Sequence, residues 1–411
     1  MWDQTTWIVL VLLLVVVAIV VTIVAVSHVC STNCRRYCAR ELNALRGYSG
    51  SGSDGASAAR ARVTFPVGVT PSGLAVTPDG RFAIVANNNN YGILGSDSVT
   101  VLDLERGVSD ATISDSSFVE PYTVTIVRDS LGYFAYVTNS ASSTVSVVDV
   151  QTRAVVPVID GFDGPSGLAV IGTTGYVNNY GSSSGVGSGN GTTVSVVNLA
   201  TRTITGTITV GLAPAALAAS PSGARLYVAN YVDGEPGTGT VSVVDTAKSA
   251  VVTTIGGFSG PFGIAASPNG KRIFVSNFGS NNFAPYGTTL SAVSTSTNTV
   301  VATVEVGIQP AGVTVSPDSE SIYVSNYNTL YASTGFVGLT AGAGTVSVVD
   351  ARALRDGRLI RVRRTLRVGA SPGALALTPD GKRLCVANYT ANSVDLLPVA
   401  HANRQNIHDL P

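Results

Sequence analysis

Histidines are the first place to look for chemistry, and none lies in the long middle of this chain. His28 is near the N-terminus, while His401 and His408 are near the C-terminus. Residues 62–400 therefore supply no imidazole as a general base or as a ligand for haem, copper or zinc. The four cysteines divide three and one. Cys30, Cys34 and Cys38 are four apart and would share one face of a helix. Three thiols at that spacing do not make a four-ligand zinc site. Beside a membrane they are open to acylation on the cytoplasmic side, to disulfides outside it, or to no modification. Cys385 stands alone in an apolar run and reads as a small buried hydrophobe. No catalytic constellation, metal site or cofactor site emerges, so a non-enzymatic protein without a cofactor is expected.

What remains are aromatic rings set among Gly, Ser and Asn. Tyr91, Tyr122, Tyr180, Tyr231, Phe262, Phe278, Tyr286, Tyr327, Tyr331, Phe336 and Tyr389 are the candidate partner-binding residues, with Phe118, Phe162, Phe258 and Phe283 in similar surroundings. Aromatics among small polar residues, with few charges, are typical of adaptable recognition surfaces. The competing reading is that the rings pack the loops down. The chain has 25 basic and 25 acidic residues, and charged residues make up only 12% of it, so nothing in the overall balance argues for nucleic acid.

The 411 residues fall into unlike parts. Trp7–Val26 is an apolar run with only Thr22 polar. At 1.5 Å per residue it is about 30 Å long, the thickness of a hydrocarbon core. The residues before Trp7 lack Lys and Arg, unlike a secretory leader, so residues 1–29 read as an uncleaved membrane anchor. Residues 30–61 combine the cysteines, five arginines and a Gly/Ser-rich tether. Arg35, Arg36, Arg40 and Arg46 follow the span, and the positive-inside rule would keep the C-terminal side cytoplasmic. Residues 401–411 form a polar tail.

Residues 62–400 repeat. Seven prolines precede short apolar runs, at Pro71, Pro121, Pro165, Pro214, Pro261, Pro310 and Pro372. Each is followed by a strand ending in Asn (Asn87, Asn139, Asn179, Asn230, Asn277, Asn326 and Asn388) and then by a strand like Thr144–Asp149, TVSVVD. Val, Ile, Tyr and Thr fill the strands, and Pro, Gly, Ser and Asn the joints. Four strands per unit at this period predict an all-β, seven-bladed propeller. The seventh unit lacks an outer strand, and Arg62–Val67 is expected to supply it from the other end of the chain. The repeated asparagines are expected to bond nearby backbone. The third unit replaces the usual PDG turn with Ile171–Gly175, and the fifth reads TLSAVS, so both blades are expected to be locally irregular.

Tyr136-Val-Thr-Asn139, the YVAN and YVSN variants, Pro78-Asp79-Gly80 and the SVVD strands together resemble the YVTN family of seven-bladed β-propeller repeats. The resemblance implies a surface or secreted module for binding or adhesion, with a protein or glycan partner, and so places the propeller outside the cytoplasm, against the arginine count. The propeller lactonases, similar in blade pattern, give the alternative of a hydrolase at the central channel. Arg352, Arg355, Arg358, Arg361, Arg363, Arg364 and Arg367 surround the sixth unit's outer strand. They read as a solvated edge that discourages sheet pairing, or as a contact for an anionic partner. Asn190-Gly-Thr192 and Asn388-Tyr-Thr390 are sequons.

Overall fold

The computed structural model describes residues 62–89, 96–181, 189–232, 237–280, 286–327, 344–354 and 360–399. The N-terminal apolar run, Cys30, Cys34 and Cys38 lie outside them. Among the described residues no helix is long and apolar enough to cross a membrane.

Seven four-stranded antiparallel sheets make the blades of a propeller. The inner strands are Pro71–Val76, Pro121–Arg128, Pro165–Ile171, Pro214–Ala219, Pro261–Ala266, Pro310–Val315 and Pro372–Leu377. Each begins at its landmark proline, the first strand position, where a missing N–H is tolerated. These strands are rich in Gly, Ala and Ser because neighbouring blades crowd at the axis. Gly312 shows the need: a Cβ there would lie 2.5 Å from the Gly373 carbonyl oxygen of the next blade. Hydroxyls tie blades to the inner strands of their neighbours. Ser276 Oγ donates to the Ala311 carbonyl at 2.7 Å, and Thr125 Oγ1 to that of Leu168 at 2.7 Å.

The second and third strands of each blade are buried on both faces, since sheets stack against sheets all round the ring. Outer strands alternate towards solvent, as in Thr203–Thr209. In every blade the register slips just after the proline, so this bulge belongs to the repeat. The third blade, contrary to expectation, has only slips that its neighbours share, after Pro165 and at Val196. Ile171 pairs with Thr174 across a two-residue hairpin, with Gly172 at φ 59°, and the next pair of strands runs six residues without a slip. The TLSAVS strand of the fifth blade pairs along its length as well.

The repeated asparagines do more than cap strands through backbone bonds. Their amide nitrogens donate across to hydroxyls on the third strand: Asn139 to Thr144 and Ser146 (3.1 and 2.8 Å), Asn230 to Thr240 and Ser242 (both 2.9 Å). That is the reason for the Thr-Val-Ser opening of those strands.

Ring closure follows the expected scheme. Val63–Pro66 pairs with Ser393–Pro398 and becomes the outer strand of the seventh blade. Here the strand reads Ser-Val-Asp, and Asp395 occupies the place of the serine hydroxyl. Its carboxylate is fully buried and accepts five hydrogen bonds. Arg62 donates through Nε and Nη2 at 2.9 and 2.7 Å, Thr64 Oγ1 at 2.7 Å, the Gly369 N–H at 2.9 Å and Asn388 Nδ2 at 2.9 Å. Phe65 then packs with Leu74, Leu102, Cys385 and Leu396 between the last and first blades.

Replacing Asp395 with Ala would leave the Asn388 amide only its 3.2 Å bond to Ser393 Oγ and would release Arg62 and Thr64. A loss of about 1–3 kcal/mol, the usual cost of leaving buried hydrogen-bonding groups short of a partner, is expected in denaturant unfolding. Deleting residues 62–68 should lower the melting temperature sharply, and in that background Asp395→Ala should add little, because the same contacts are already lost.

Candidate functional site

Both the lead-in to each inner strand and the connection between second and third strands emerge on one face. Register shows this directly, since Pro71 faces Asn87 and Pro261 faces Asn277. A repeated backbone device then fixes seven positions around the channel mouth. The residue before each landmark proline has a left-handed φ of 48–55°: Thr70, Glu120, Gly164, Ala213, Gly260, Gln309 and Ser371. A Cβ in that region costs about 1–2 kcal/mol, yet five of the seven are not glycine. The turn aims each carbonyl at the N–H of the residue after the repeated Asn. The acceptors and donors are Thr70 and Asn88 (3.1 Å), Glu120 and Ser140 (3.1 Å), Gly164 and Tyr180 (3.1 Å), Ala213 and Tyr231 (2.8 Å), Gly260 and Phe278 (2.9 Å), Gln309 and Tyr327 (3.0 Å), and Ser371 and Tyr389 (2.9 Å).

Five of these seven positions carry rings, and they join into an arc. Phe262, just after its proline, lies between Tyr231 and Phe278, with centroids 6.1 and 5.2 Å away. Phe278 meets Tyr327 at 6.3 Å, and Tyr327 meets Tyr389 at 5.9 Å. The contacts are tilted or edge-on, the arrangement favoured by ring quadrupoles. Tyr180 packs against the same cluster. Tyr122, just after its proline in the second blade, lies near Tyr180 and Tyr389. Burial pushes its hydroxyl above the ordinary tyrosine range, and the nearby Tyr180 and Tyr389 hydroxyls add to that. Tyr231 and Phe278 form the buried floor, while Tyr122, Tyr180, Phe262, Tyr327 and Tyr389 are half-buried.

The arc is open over the first two blades, where Asn88 and Ser140 stand in place of rings. Asp97 and Glu120 lie beside that opening, and the Glu120 N–H donates to Asp97 Oδ1 at 3.3 Å. Burial holds the Asp97 carboxyl above its usual range; hydrogen bonds from Glu120 and Asn89 oppose this, and the Glu120 charge adds to it.

Of the sequence candidates, the structure thus brings together Tyr122, Tyr180, Tyr231, Phe262, Phe278, Tyr327 and Tyr389. Tyr286 opens a third strand opposite Gly279, apart from the arc. Tyr91, Phe283, Tyr331 and Phe336 lie outside the described residues. Phe118, Phe162 and Phe258 are not on the face at all, being 3%, 7% and 0% exposed within separate inter-blade cores. Asn88, Ser140 and the two acids were not singled out by the sequence, although their place after or before a landmark could have found them.

Other candidates resolve differently. The inner strands contain no carboxylate, and Arg128, at the far end of its strand, is their one formally charged residue. Among the described residues no cluster of three or more His, Cys, Asp or Glu side chains is placed to hold a metal. Cys385 is fully buried, and burial raises its thiol to about 12. Asn388 is likewise fully buried, so its sequon is closed to modification once the blade has formed, whereas Asn190 is exposed. On the sixth outer strand Arg361, Arg363, Arg364 and Arg367 are exposed, and Arg352 pairs with Asp350 at 2.8 Å.

No family model matches the chain, and no curated protein matches it either. Solved structures do. A chain of hydrazine synthase from Kuenenia stuttgartiensis superposes with a TM-score of 0.65 at 22% identity, over 81% of this chain and 96% of that one. A chain of a mitotic checkpoint complex superposes with a TM-score of 0.63 at 14% identity, over 86% and 98%. The 1359 matching chains include one from an enzyme and one from a regulatory assembly, so the likeness carries the propeller fold and no particular activity.

Two outcomes are expected. Gly260→Ala should destabilise the ring well beyond the 1–2 kcal/mol of a left-handed Cβ, because that Cβ would collide with the Gly279 carbonyl, whereas Ala213→Gly should be tolerated; thermal melts compare them. With Cys30, Cys34 and Cys38 changed to Ser, a thiol reagent at pH 8 should label Cys385 only after denaturant is added.

Proposed function

We propose that the chain is a binding module that engages a protein or glycan partner through the loop face of its propeller. The observation that carries this reading is the aromatic arc at the channel mouth. Seven backbone positions are fixed by the fold, and five present rings, three of them partly open to solvent. Rings held in place before a partner arrives lose little entropy on binding. The loops beside them are the least repeated part of the chain, as expected where the repeat serves the ring and the variation serves recognition. The resemblance to YVTN-repeat surface proteins, and the presence of a similar propeller in a checkpoint complex, accord with partner binding.

In the same reading the apolar run 7–26 anchors the module to a membrane, and the Gly/Ser tether holds the propeller off its surface on the outer side. A hydrolytic channel site is the weaker reading, because acid and base groups would have to converge on inner strands that bring no carboxylate.

Tyr327→Ala with Tyr389→Ala removes the exposed end of the arc while keeping both backbone hydrogen bonds. Capture of partners from intact cells displaying surface proteins and glycans should fall at least about tenfold, the loss typical of central aromatic contacts. The melting temperature should stay within a few degrees. Unchanged capture by the folded variant would move the site elsewhere.

A further inference from the structure

The two faces of the propeller differ in charge in a way that bears on the partner. The described part of the loop face comprises segments 67–70, 114–120, 160–164, 210–213, 259–260, 306–309 and 369–371, together with residues 88–89, 96–97, 140–143, 180–181, 189–192, 231–232, 237–238, 280, 327 and 389–392. These segments contain no Lys, Arg or His. Their described acids are Asp97, Asp115, Glu120, Asp160 and Asp163, all in the sector of the first three blades. Arg361, Arg363, Arg364 and Arg367 line the exposed sixth outer strand, while the opposite face carries many of the described cations. Ion pairs such as Arg153–Asp110 at 2.6 Å and Arg225–Asp245 at 2.8 Å lie there. Arg81 and Arg153 both sit over the Phe82 ring there, 4.7 and 4.9 Å from its centroid.

We propose that the loop face is complementary to a basic polypeptide segment, whose Lys or Arg side chains are received by the acidic sector around Asp97, Glu120 and Asp163. This deepens the proposed binding function and rests on the loop face being the binding face. Three features of the surface suit that occupant. Tyr122 and Tyr180 stand between the acids and the ring arc, since Glu120 precedes Tyr122 by two residues and the Gly181 N–H donates to the Asp163 carbonyl at 3.0 Å. A cation arriving there meets ring faces and carboxylates together, the pairing that attracts ammonium and guanidinium groups. The aliphatic stems of such side chains lie well on apolar surface, which the arc of Phe262, Tyr327 and Tyr389 supplies. An acidic partner would meet repulsion without a compensating base.

The test uses the whole chain in detergent or nanodiscs, with fluorescein-labelled octalysine as probe and octaglutamate as its counterpart, read by anisotropy at low salt. Octalysine should bind, and octaglutamate should not. Asp97→Asn, Glu120→Gln and Asp163→Asn together should raise the octalysine Kd about tenfold, the order expected for losing several exposed charge contacts. Asp97→Asn keeps the oxygen that accepts the Glu120 N–H, so the loop should hold, and a thermal melt checks this. Glu105→Gln, Asp129→Asn and Glu320→Gln on the opposite face should leave binding unchanged. Octalysine indifferent to the first set, equally sensitive to both sets, or displaced by a neutral oligosaccharide overturns the proposal. If that happens while Tyr327→Ala with Tyr389→Ala still abolishes partner capture, the loop face stands as the binding face and only the cationic partner falls. If capture is also unchanged, both readings fall.

Discussion

A single buried carboxylate holds the two ends of this fold together. Asp395 accepts five hydrogen bonds in the seventh blade, and two of the donors, Arg62 and Thr64, belong to the strand that enters from the opposite end of the chain. An ionised group with no solvent exposure is costly unless its oxygens are fully satisfied. Here they are, by an arrangement available only when the ring is shut. The other blades use a hydroxyl at this place, as with Ser146 and Ser242, because their outer strands are continuous with the rest of the blade and need no such clasp. Every inter-blade core depends on that closure, since each sheet has a neighbour on both sides only in a complete circle.

The repeat also separates what the ring needs from what it presents. The left-handed residue before each proline, the Asn amide and the hydroxyls opposite it form one hydrogen-bonded corner, seen around the ring with different side chains at the tolerant positions. Strain is accepted at Thr70, Ala213 and Gln309 because their carbonyls fix the next loop. Above those corners the described surface is asymmetric, with rings from Tyr122 round to Tyr389 and its described carboxylates over the first three blades.

Much of this was legible in the chain itself. The prolines, asparagines and TVSVVD runs give the blade count, the strand order and the borrowed outer strand, because each marks a backbone event that recurs at fixed places. The hydrogen-bond partners of the asparagines were not legible, since Asn139 and Ser146 meet only through strand pairing. The same limit divided the aromatics. Phe118 and Phe262 both lie in lead-in segments with similar neighbours, yet Phe118 falls before its proline and turns into a blade interface, while Phe262 falls just after its proline and turns towards the channel mouth. Composition treats them alike; distance from the proline separates them.

The seven N–H groups held at the mouth have one more consequence. Their hydrogen bonds involve only main chain, so the fold places few demands on the half-buried side chains at Tyr180, Tyr327 and Tyr389, whereas Tyr231 and Phe278 are held in the buried floor. Asn, Ser, Tyr, Tyr, Phe, Tyr and Tyr occupy the series from the first blade to the seventh. At the half-buried positions the mouth is in effect a rewritable dial, where one letter can change without disturbing its neighbours' backbone.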